Sequence, residues 1–387
     1  MTQTGAVIDV AGEVVLRGRL VLPDRIVPHG EIIIDGERIA EINVSPTRPH
    51  VTDRWTDGWI FPGLIDLHVH GIGGRDFMDA TDDAFQAIDR SLASVGCTAY
   101  LGTTMSAPPQ ALQAVFEAAR TAAPSGLLGI HMEGPFIHPE HRGAQSLEVI
   151  RPASVDEIEG YVKQAGRLLR RITLAPEGPG ALELVNWCHQ HAILVSAGHS
   201  HATFDEALAA FDAGVGEVTH LFNAMPPLHH RNPGLVGAAL ARSDVKVEMI
   251  VDGIHLHPAI IQLVARLKGP QGVLLVTDAI RATLLQDGQY DLGGQTVTVI
   301  DGVARTSQGN LAGSTLTLNR AVFQFADFAQ VDLFDAVRAA SLTPAQVLGL
   351  YDQGAIRPGY LADLVLVDTL GRVRATWRRG HLIFDAR

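Results

Sequence analysis

Seven polar side chains that could bind a metal ion or move a proton follow apolar runs in the middle of this 387-residue sequence. They are His68, His70, Glu133, His199, His220, His255 and Asp278. Imidazole nitrogens and carboxylate oxygens are the ligands that suit zinc or iron, and such sites can keep open positions for water. The residue types and their placement therefore indicate a metal site.

The first two of these residues lie in the stretch 60–71, which predicts a strand. An apolar run there lies between Pro62-Gly63 and a group of glycines that begins at Gly71. Alternate residues of a strand point to the same face, so we expect His68 and His70 to lie side by side. Taken alone, the pair is equally consistent with two half-buried histidines that hydrogen-bond to carbonyl groups. The polar residues at the later strand ends favour the metal site.

Strands and helices alternate along the middle of the chain. We predict eight strands, near 60–71, 97–104, 127–133, 171–177, 192–199, 216–221, 246–251 and 273–278, with helices between them, such as 82–95, 109–123 and 155–168. Eight such units predict an α/β fold, a (β/α)8 TIM barrel, whose catalytic groups lie at the C-terminal ends of the strands. The polar residues follow six of these strands, so we expect them to meet on one face.

Both chain ends consist of short β-rich runs. The Asp35-Gly36 pair between two such runs predicts a hairpin, and residues 361–368 and 373–377 have the same character. We therefore expect residues 1–61 and 356–387 to form a small β-sandwich domain, and residues 62–355 to form the barrel. An alternating stretch near 290–306 predicts a β-hairpin insertion after the eighth strand.

The composition limits the partners and the compartment. A net charge of −12 argues against nucleic acid or an anionic membrane as the main partner, although a small anionic substrate needs only a local basic pocket. Cys97 and Cys188 are too few for a disulfide framework, which favours the cytoplasm. Residues Met1–Val10 lack the features of a signal peptide, and no run of about 18 apolar residues occurs, so we expect neither export nor a membrane span.

Seven short phrases carry a resemblance that spans nearly the whole chain. They are His131–Phe136, Leu174–Glu177, Ser196–Ser200, Thr219–Met225, Val251–His255, Val276–Ala279 and Leu311–Ser314. Together they resemble the amidohydrolase superfamily and, within it, the N-acetylglucosamine-6-phosphate deacetylases. The resemblance implies metal-dependent hydrolysis of the acetamide of N-acetylglucosamine 6-phosphate, which yields glucosamine 6-phosphate and acetate in amino-sugar catabolism or cell-wall recycling.

The resemblance also implies roles for individual residues. A primary metal ion would lie on Glu133, His199 and His220, with Asp278 as the catalytic base. The presence of His68 and His70 allows a second ion, so we expect one or two divalent ions per subunit, zinc or iron. Substrate contacts would come from Asn223, the backbone of Ala224, Arg231, His255, Gln145, Leu311 and Gly313. A homodimer is expected, in which Arg231 can reach the neighbouring site.

One residue departs from the family pattern, which has histidine where this chain has Gln145. Glutamine can hydrogen-bond a substrate hydroxyl or carbonyl group, but it cannot become cationic. The sequence therefore leaves the role of this loop and the substrate range open.

Two alternative functions would predict different residues. Another amidohydrolase, acting on a different N-acyl group or a cyclic amide, would often bridge two metals with a carboxylated lysine after strand four. The chain has only Lys163, Lys246 and Lys268, and none lies there. A barrel retained as a non-catalytic scaffold would be expected to have lost some ligands, and all seven polar residues are present.

Overall fold

The computed structural model describes residues 6–8, 14–44 and 58–386, so most of the stretch Met1–Val10 lies outside the described residues. The chain divides into two compact units. One comprises Met1–Asp66, Arg90–Ala99 and Leu318–Arg387, and the other Leu67–Asp89 and Tyr100–Thr317. These limits differ from the domain limits expected at 61/62 and 355/356, which stay a prediction. Over the described ranges, none of the helices is both long enough and apolar enough to cross a membrane.

The middle of the chain forms a parallel barrel. Within the described residues, eight strands make one sheet in which each strand pairs with the next in sequence. They are Leu64–Val69, Cys97–Thr104, Leu127–Glu133, Leu169–Leu174, Leu194–Ala197, Glu217–Val218, Lys246–Met249 and Val273–Leu275. The residues after strand eight return to strand one, since Ala279 forms a parallel bridge with Val69. The expected (β/α)8 TIM barrel is confirmed.

Helices alternate with these strands and continue after them. Their bounds are Asp82–Ser94, Pro109–Ala122, Val155–Ala165, Ala181–Gln190, Phe204–Ala213, Gly234–Ala241, Pro258–Lys268, Leu318–Ala329, Leu333–Ala339 and Leu342–Val347. Short 3-10 turns occur at Phe77–Asp79, Pro139–His141, Leu147–Val149 and Gly166–Leu168. Local sequence sets several of the starts. Thr203 and Glu206, for example, form a reciprocal capping box at the start of Phe204–Ala213.

Strands five, six and eight end earlier than the sequence predicted, before the polar residues that follow them. The reason is the backbone of His199, His220 and Asp278, which have φ values of 49°, 29° and 49°. These values lie on the left-handed side of φ/ψ space, which a strand cannot contain. Backbone strain of this kind concentrates at functional sites, because the surrounding structure must hold it in place.

The chain ends build a second sheet. In the described part of the chain it has eight strands, Ala6–Ile8, Val14–Val21, Ile26–Asp35, Arg38–Val44, Trp59–Pro62, Leu364–Val367, Val373–Arg378 and His381–Asp385. Its core draws Ile32 and Ile60 from one end and Leu364 and Trp377 from the other. The small β domain formed by both ends is confirmed, and its strands are bonded into one continuous sheet.

The predicted hairpin is also present in that sheet. Asp35 pairs with Arg38 across a two-residue turn, and Gly36 adopts a φ of 55° there. A two-residue hairpin turn favours glycine, because glycine reaches positive φ at little steric cost.

The insertion after strand eight is larger than the expected hairpin. It is a sheet of three antiparallel strands among the described residues, Gly288–Leu292, Gln295–Ile300 and Val303–Thr306. Leu292 and Val297 pack with Ile280 and Ala312 in a small apolar cluster. The packing fixes this insertion beside the residues that follow strand eight.

Candidate metal-binding active site

One buried group of donors is formed by Glu133, the last residue of strand three, and by His199 and His220, which follow strands five and six. The Nε2 atoms of His199 and His220 each lie 3.1 Å from Oε1 of Glu133, and they lie 3.0 Å from each other. These three residues are almost fully buried. A single ion could therefore contact all three donor atoms.

A second group lies beside the first and consists of His68, His70 and Asp278. Nε2 of His70 lies 3.2 Å from Oδ1 of Asp278 and 3.3 Å from Nε2 of His68. The other carboxylate oxygen of Glu133, Oε2, lies 3.3 Å from Nε2 of His70. Glu133 therefore faces both groups, and its Oε1, which contacts the first group, also lies 3.4 Å from Nε2 of His68.

Neighbouring acceptors fix the tautomers of two histidines. Nδ1 of His199 lies 2.8 Å from the carbonyl oxygen of His141, and Nδ1 of His68 lies 3.1 Å from Oε2 of Glu248. A carbonyl group and an ionised carboxylate only accept hydrogen bonds, so both Nδ1 atoms must donate. The Nε2 lone pairs are then free to face the site, an arrangement typical of metal-bound histidine.

The geometry of the first group fits a metal ion. Bonds of about 2.0 to 2.2 Å to tetrahedral zinc place the ligand atoms roughly 3.3 Å from one another. The donors of Glu133, His199 and His220 lie 3.0 to 3.1 Å apart, close to this spacing. The described residues around strand ends three, five and six therefore match a divalent-cation site in both donor type and separation.

The charges of the cluster favour a cation. Burial alone would lower the pKa of His70, but its hydrogen bonds to Asp278 and Glu133 outweigh burial and raise the pKa to about 9. Burial alone would raise the pKa of Asp278 and of Glu133, yet the neighbouring imidazolium charges hold both pKa values below the usual range. Both carboxylates are thus ionised at neutral pH and compensate positive charge, whether a proton or a metal ion carries it.

A buried ionic network lies under His68 and was not predicted from the sequence. The guanidinium of Arg171 pairs with Glu217 at 2.7 Å and also with Glu248, and all three side chains are nearly inaccessible. Oε2 of Glu248 also accepts the backbone N–H of His220 at 3.1 Å. Glu248 therefore links a residue of each donor group. Each of the three apolar strands contains a charged residue, and isolated buried charges are rare. This pattern was the sequence signal that could have predicted the network.

His131, from the phrase that contains Glu133, has a structural position. Its ring packs edge-on against His68, with centroids 4.7 Å apart. Nε2 lies 2.7 Å from Oγ1 of Thr173, and Nδ1 lies 3.3 Å from Oγ1 of Thr103. Burial and the nearby Arg171 charge hold the pKa of His131 well below its usual range. It is a neutral packing residue beside the donor groups.

A cavity of about 340 Å³ opens onto both donor groups. Its walls include most of the residues expected to contact substrate, namely Asn223, Ala224, His255, Gln145, Leu311 and Gly313. His255 is held by Asp252, whose Oδ2 lies 2.7 Å from Nδ1 of His255. Burial would raise the pKa of Asp252, but the hydrogen bond from His255 prevails and lowers it. His255 thus lies in the wall of the cavity and outside both donor groups.

Gly313 shows why a glycine occupies this wall. It has a φ of 59°, and a Cβ atom there would lie 2.5 Å from Cγ2 of Ile280 and 2.9 Å from the carbonyl oxygen of Asp278. Ser314 donates its backbone N–H to that same oxygen at 2.7 Å. A side chain at position 313 would therefore disturb Asp278 directly.

Both polar atoms of the Gln145 side-chain amide form hydrogen bonds within the protein. Nε2 donates to Oε2 of Glu133 at 2.6 Å, and Oε1 accepts the backbone N–H of Ser106 at 2.7 Å. The sequence suggested a hydrogen bond to a substrate hydroxyl or carbonyl group. The observed contacts instead hold the carboxylate of Glu133, although Gln145 also lines the cavity.

Arg231 does not lie with the cavity residues of its own chain. It is exposed, its NH1 lies 2.8 Å from Nε2 of His230, and it is absent from the described residues that line the cavity. The segment from Leu221 to Pro233 is an irregular loop, and the next helix begins at Gly234. Pro226, Pro227 and Pro233 fit such a loop, because proline is unfavourable inside a helix.

Comparison with known proteins agrees with this geometry. Residues 59–384 match the Amidohydrolase family. The chain is 40% identical over 333 residues to the N-acetylglucosamine-6-phosphate deacetylase of Vibrio furnissii, covering 84% of this chain and 83% of that protein. It is 36% identical over 376 residues to the N-acetylgalactosamine-6-phosphate deacetylase of Escherichia coli O157:H7, covering 95% and 98%.

A solved structure shares the whole architecture. It is that of a variant of N-acetyl-D-glucosamine-6-phosphate deacetylase from Mycobacterium smegmatis in complex with N-acetyl-D-glucosamine-6-phosphate. It superposes with a TM-score of 0.91 at 33% identity, covering 95% of this chain and 98% of the other. The family is metal-dependent, and the donor groups described above could bind metal. The chain is therefore a hydrolase of the amidohydrolase family, in the branch that includes the N-acetylglucosamine-6-phosphate deacetylases.

Proposed function

We propose that this protein hydrolyses the acetamide of N-acetylglucosamine 6-phosphate, giving glucosamine 6-phosphate and acetate. The observation that carries the proposal is one shared cavity. Glu133, His199, His220 and Asp278 line it together with the polar residues Asn223 and His255. A cavity of about 340 Å³ lies within the range common for small-molecule sites. One end can hold the reacting amide while the other binds the sugar.

Glu133, His199 and His220 would hold the primary metal ion, for which zinc or iron is the best match to the donor set. His68 and His70 would hold a second ion, with Glu133 contributing to both positions. The metal supplies Lewis-acid polarisation of the amide carbonyl and lowers the pKa of water. Glu248, His141 and Gln145 keep the ligands oriented through the contacts described above.

Asp278 would move the proton. Its carboxylate is ionised at neutral pH and lies on the wall of the cavity, so it can accept a proton from the attacking water. It would then give that proton to the departing amine nitrogen. An amine anion is a very poor leaving group, so this second transfer is as necessary as the first.

The phosphate would bind away from the metal. We assign it to the backbone amide of Ala224, to His255, and to Arg231 of the partner subunit in a homodimer. Asn223 lies in the same wall, but its backbone N–H already donates to the carbonyl oxygen of His220 at 2.9 Å. The long loop that carries Arg231 and the exposure of its side chain, which is not among the described residues lining its own cavity, support this assignment. A guanidinium group suits phosphate because it binds two oxygens at once. We also propose a cytoplasmic location, since Cys97 and Cys188 are free.

The second candidate substrate is N-acetylgalactosamine 6-phosphate. The 36% identity to a deacetylase named for that sugar favours keeping it in the test. The two sugars differ only in the orientation of the hydroxyl at carbon four, so the choice depends on a single hydrogen-bonding position.

Acetate release tests the proposal. We expect fast release from N-acetylglucosamine 6-phosphate, slower release from the galactosamine analogue, and little from unphosphorylated N-acetylglucosamine. A reversed order for the two phosphorylated sugars would favour the second candidate. Absence of release from all three sugars, by protein shown to contain its metal, would contradict the assigned reaction. Metal analysis of the same sample would also separate an enzyme from a metal-free scaffold.

A further inference from the structure

Three histidines outside the proposed catalytic cluster lie close together on the loops that follow strands three and five. His138 precedes the 3-10 turn Pro139–His141, His141 is the last residue of that turn, and His201 lies two residues after His199. One ligand nitrogen from each lies within 4.8 Å of the others, and Nε2 of His141 lies 2.8 Å from Nδ1 of His201. We propose that His138, His141 and His201 form a further divalent-cation site, separate from the buried donor groups.

Main-chain hydrogen bonds hold two of these residues in place. His138 donates its backbone N–H to the carbonyl oxygen of His199 at 2.8 Å. His201 donates its backbone N–H to Oε1 of Glu177 at 2.5 Å. Residues three apart in a 3-10 turn project in nearly the same direction, which brings the rings of His138 and His141 together. The ring centroids of the three histidines lie 4.9 to 5.6 Å apart. The backbone therefore positions the three imidazole rings before a cation binds.

The donor set selects the class of cation. Three imidazoles suit zinc and neighbouring transition metals and leave an open coordination position, whereas magnesium and calcium require oxygen ligands. The rings are half-buried or exposed, so a cation can reach them from solvent. The adjacent Glu140 adds a negative charge, and the guanidinium of Arg142 donates to the carbonyl oxygen of Pro139. Nδ1 of His138 accepts the Glu140 amide at 3.2 Å, so ligation through its Nε2 would give up this long hydrogen bond.

A cation at this position would connect two walls of the substrate cavity. Glu140 and His141 line the cavity from the loop after strand three, and His199 lines it from the end of strand five. The carbonyl oxygen of His141 also orients His199. Occupancy would therefore stiffen the loop that positions a ligand of the primary metal. The binding itself is independent of the reaction assigned above.

Zinc binding to the purified holoprotein tests this site. Protein with its buried metal in place is dialysed against Zn²⁺, and bound zinc is counted for the wild type, His201→Ala, His138→Asn and the control His381→Ala. Asparagine at position 138 keeps a side-chain oxygen that can accept the Glu140 amide. His381 is an exposed histidine on a strand of the other compact unit.

The wild type and His381→Ala should bind one more zinc equivalent than His201→Ala and His138→Asn, whose residual affinity should fall at least about tenfold. Added zinc should also raise the Tm of the wild type and leave that of His201→Ala unchanged. The tightly held metal present before dialysis should be the same in all four proteins. The proposed site would be contradicted if His201→Ala bound as many zinc ions as the wild type, or if His381→Ala lost the same zinc equivalent.

Discussion

Oε2 of Glu248 lies 3.1 Å from Nδ1 of His68, and this carboxylate sets the tautomer of a histidine that faces the proposed metal site. The pair is completely buried. Burial alone would raise the pKa of Glu248, but the charges of Arg171 and His68 lower it, so the carboxylate stays ionised. Such partners of metal-bound histidines contribute about 10-fold to 100-fold to metal affinity.

Glu248→Gln should therefore weaken metal binding at His68 and His70 by about 10-fold to 100-fold, with a smaller effect at Glu133, His199 and His220. Metal titration of the purified variant measures this change. Glu217→Gln is the matched control, because Glu217 also pairs with Arg171, whereas Glu248 additionally contacts His68 and His220. Both variants disturb the buried Arg171, so chemical denaturation must show that they remain folded. Equal loss of metal in both would mean that the network acts only through stability.

Asp278→Asn should keep the size of the side chain while removing the proton carrier. We expect turnover to fall by a factor of about 10² or more, a typical contribution of general acid-base catalysis. Substrate should still bind, and metal content should stay close to that of the wild type. Near-normal acetate release by fully metal-loaded Asp278→Asn would remove this residue from the mechanism.

Substitution of single ligands should distinguish the roles of the two donor groups in metal binding and catalysis. His199→Ala or His220→Ala should remove the primary metal and abolish acetate release, because each leaves only two donors in that group. His68→Ala should cost less if one ion is sufficient for catalysis. Metal content and turnover are measured together for each variant. Loss of activity and of half of a two-ion load in His68→Ala would show that both ions are required.

Metal binding at His70 should release a proton. The pKa of His70 is raised from 6.5 to about 9 in the protein without metal, so its imidazole is mainly protonated near pH 7.5, while a ligand must be neutral. This protonation stabilises the metal-free fold below pH 6.5, and the contribution is lost as the pH rises through about 9. Calorimetry in two buffers of different ionisation enthalpy measures the release. Identical binding heats in the two buffers would contradict it, and His70→Ala provides the control.

Arg231→Ala should affect the phosphorylated sugar selectively. We expect KM to rise by about 10-fold to 100-fold, corresponding to about 1.5 to 3 kcal/mol for a charge-assisted hydrogen bond. The low rate on unphosphorylated N-acetylglucosamine should barely change. An equal loss on both sugars, or none on either, would show that Arg231 does not recognise the phosphate.

Mixed dimers can show which subunit supplies Arg231. Arg231→Ala and Asp278→Asn subunits are each weakly active under the proposal, so they are co-expressed with different tags and the mixed dimer is isolated. If Arg231 reaches the neighbouring cavity, one site of the mixed dimer has both an intact Asp278 and an intact arginine, and activity recovers. No recovery would place Arg231 in the cavity of its own subunit, or outside the site.

The local pattern of the sequence was enough to predict the barrel and the end of the barrel at which the main polar side chains lie. Strand alternation places His68 and His70 on one face, and the carboxyl ends of parallel barrel strands must converge. The Asp35-Gly36 turn is equally local, because it depends on two adjacent residues. The strands at Cys97–Thr104 and Leu127–Glu133 have the predicted bounds, and both stay buried up to their last residue.

Contacts between distant residues could be decided only by the tertiary structure. Arg171, Glu217 and Glu248 come from three strands, and each looks like an unfavourable charge until the barrel brings the opposite charge to it. Gln145 became a partner of Glu133 because the chain folds back after strand three. The strand ends at His199 and Asp278 were misplaced because the packed site imposes positive φ there, which His and Asp tolerate but do not by themselves specify. Chain patterns specify which elements form, whereas the closed barrel determines which side chains meet.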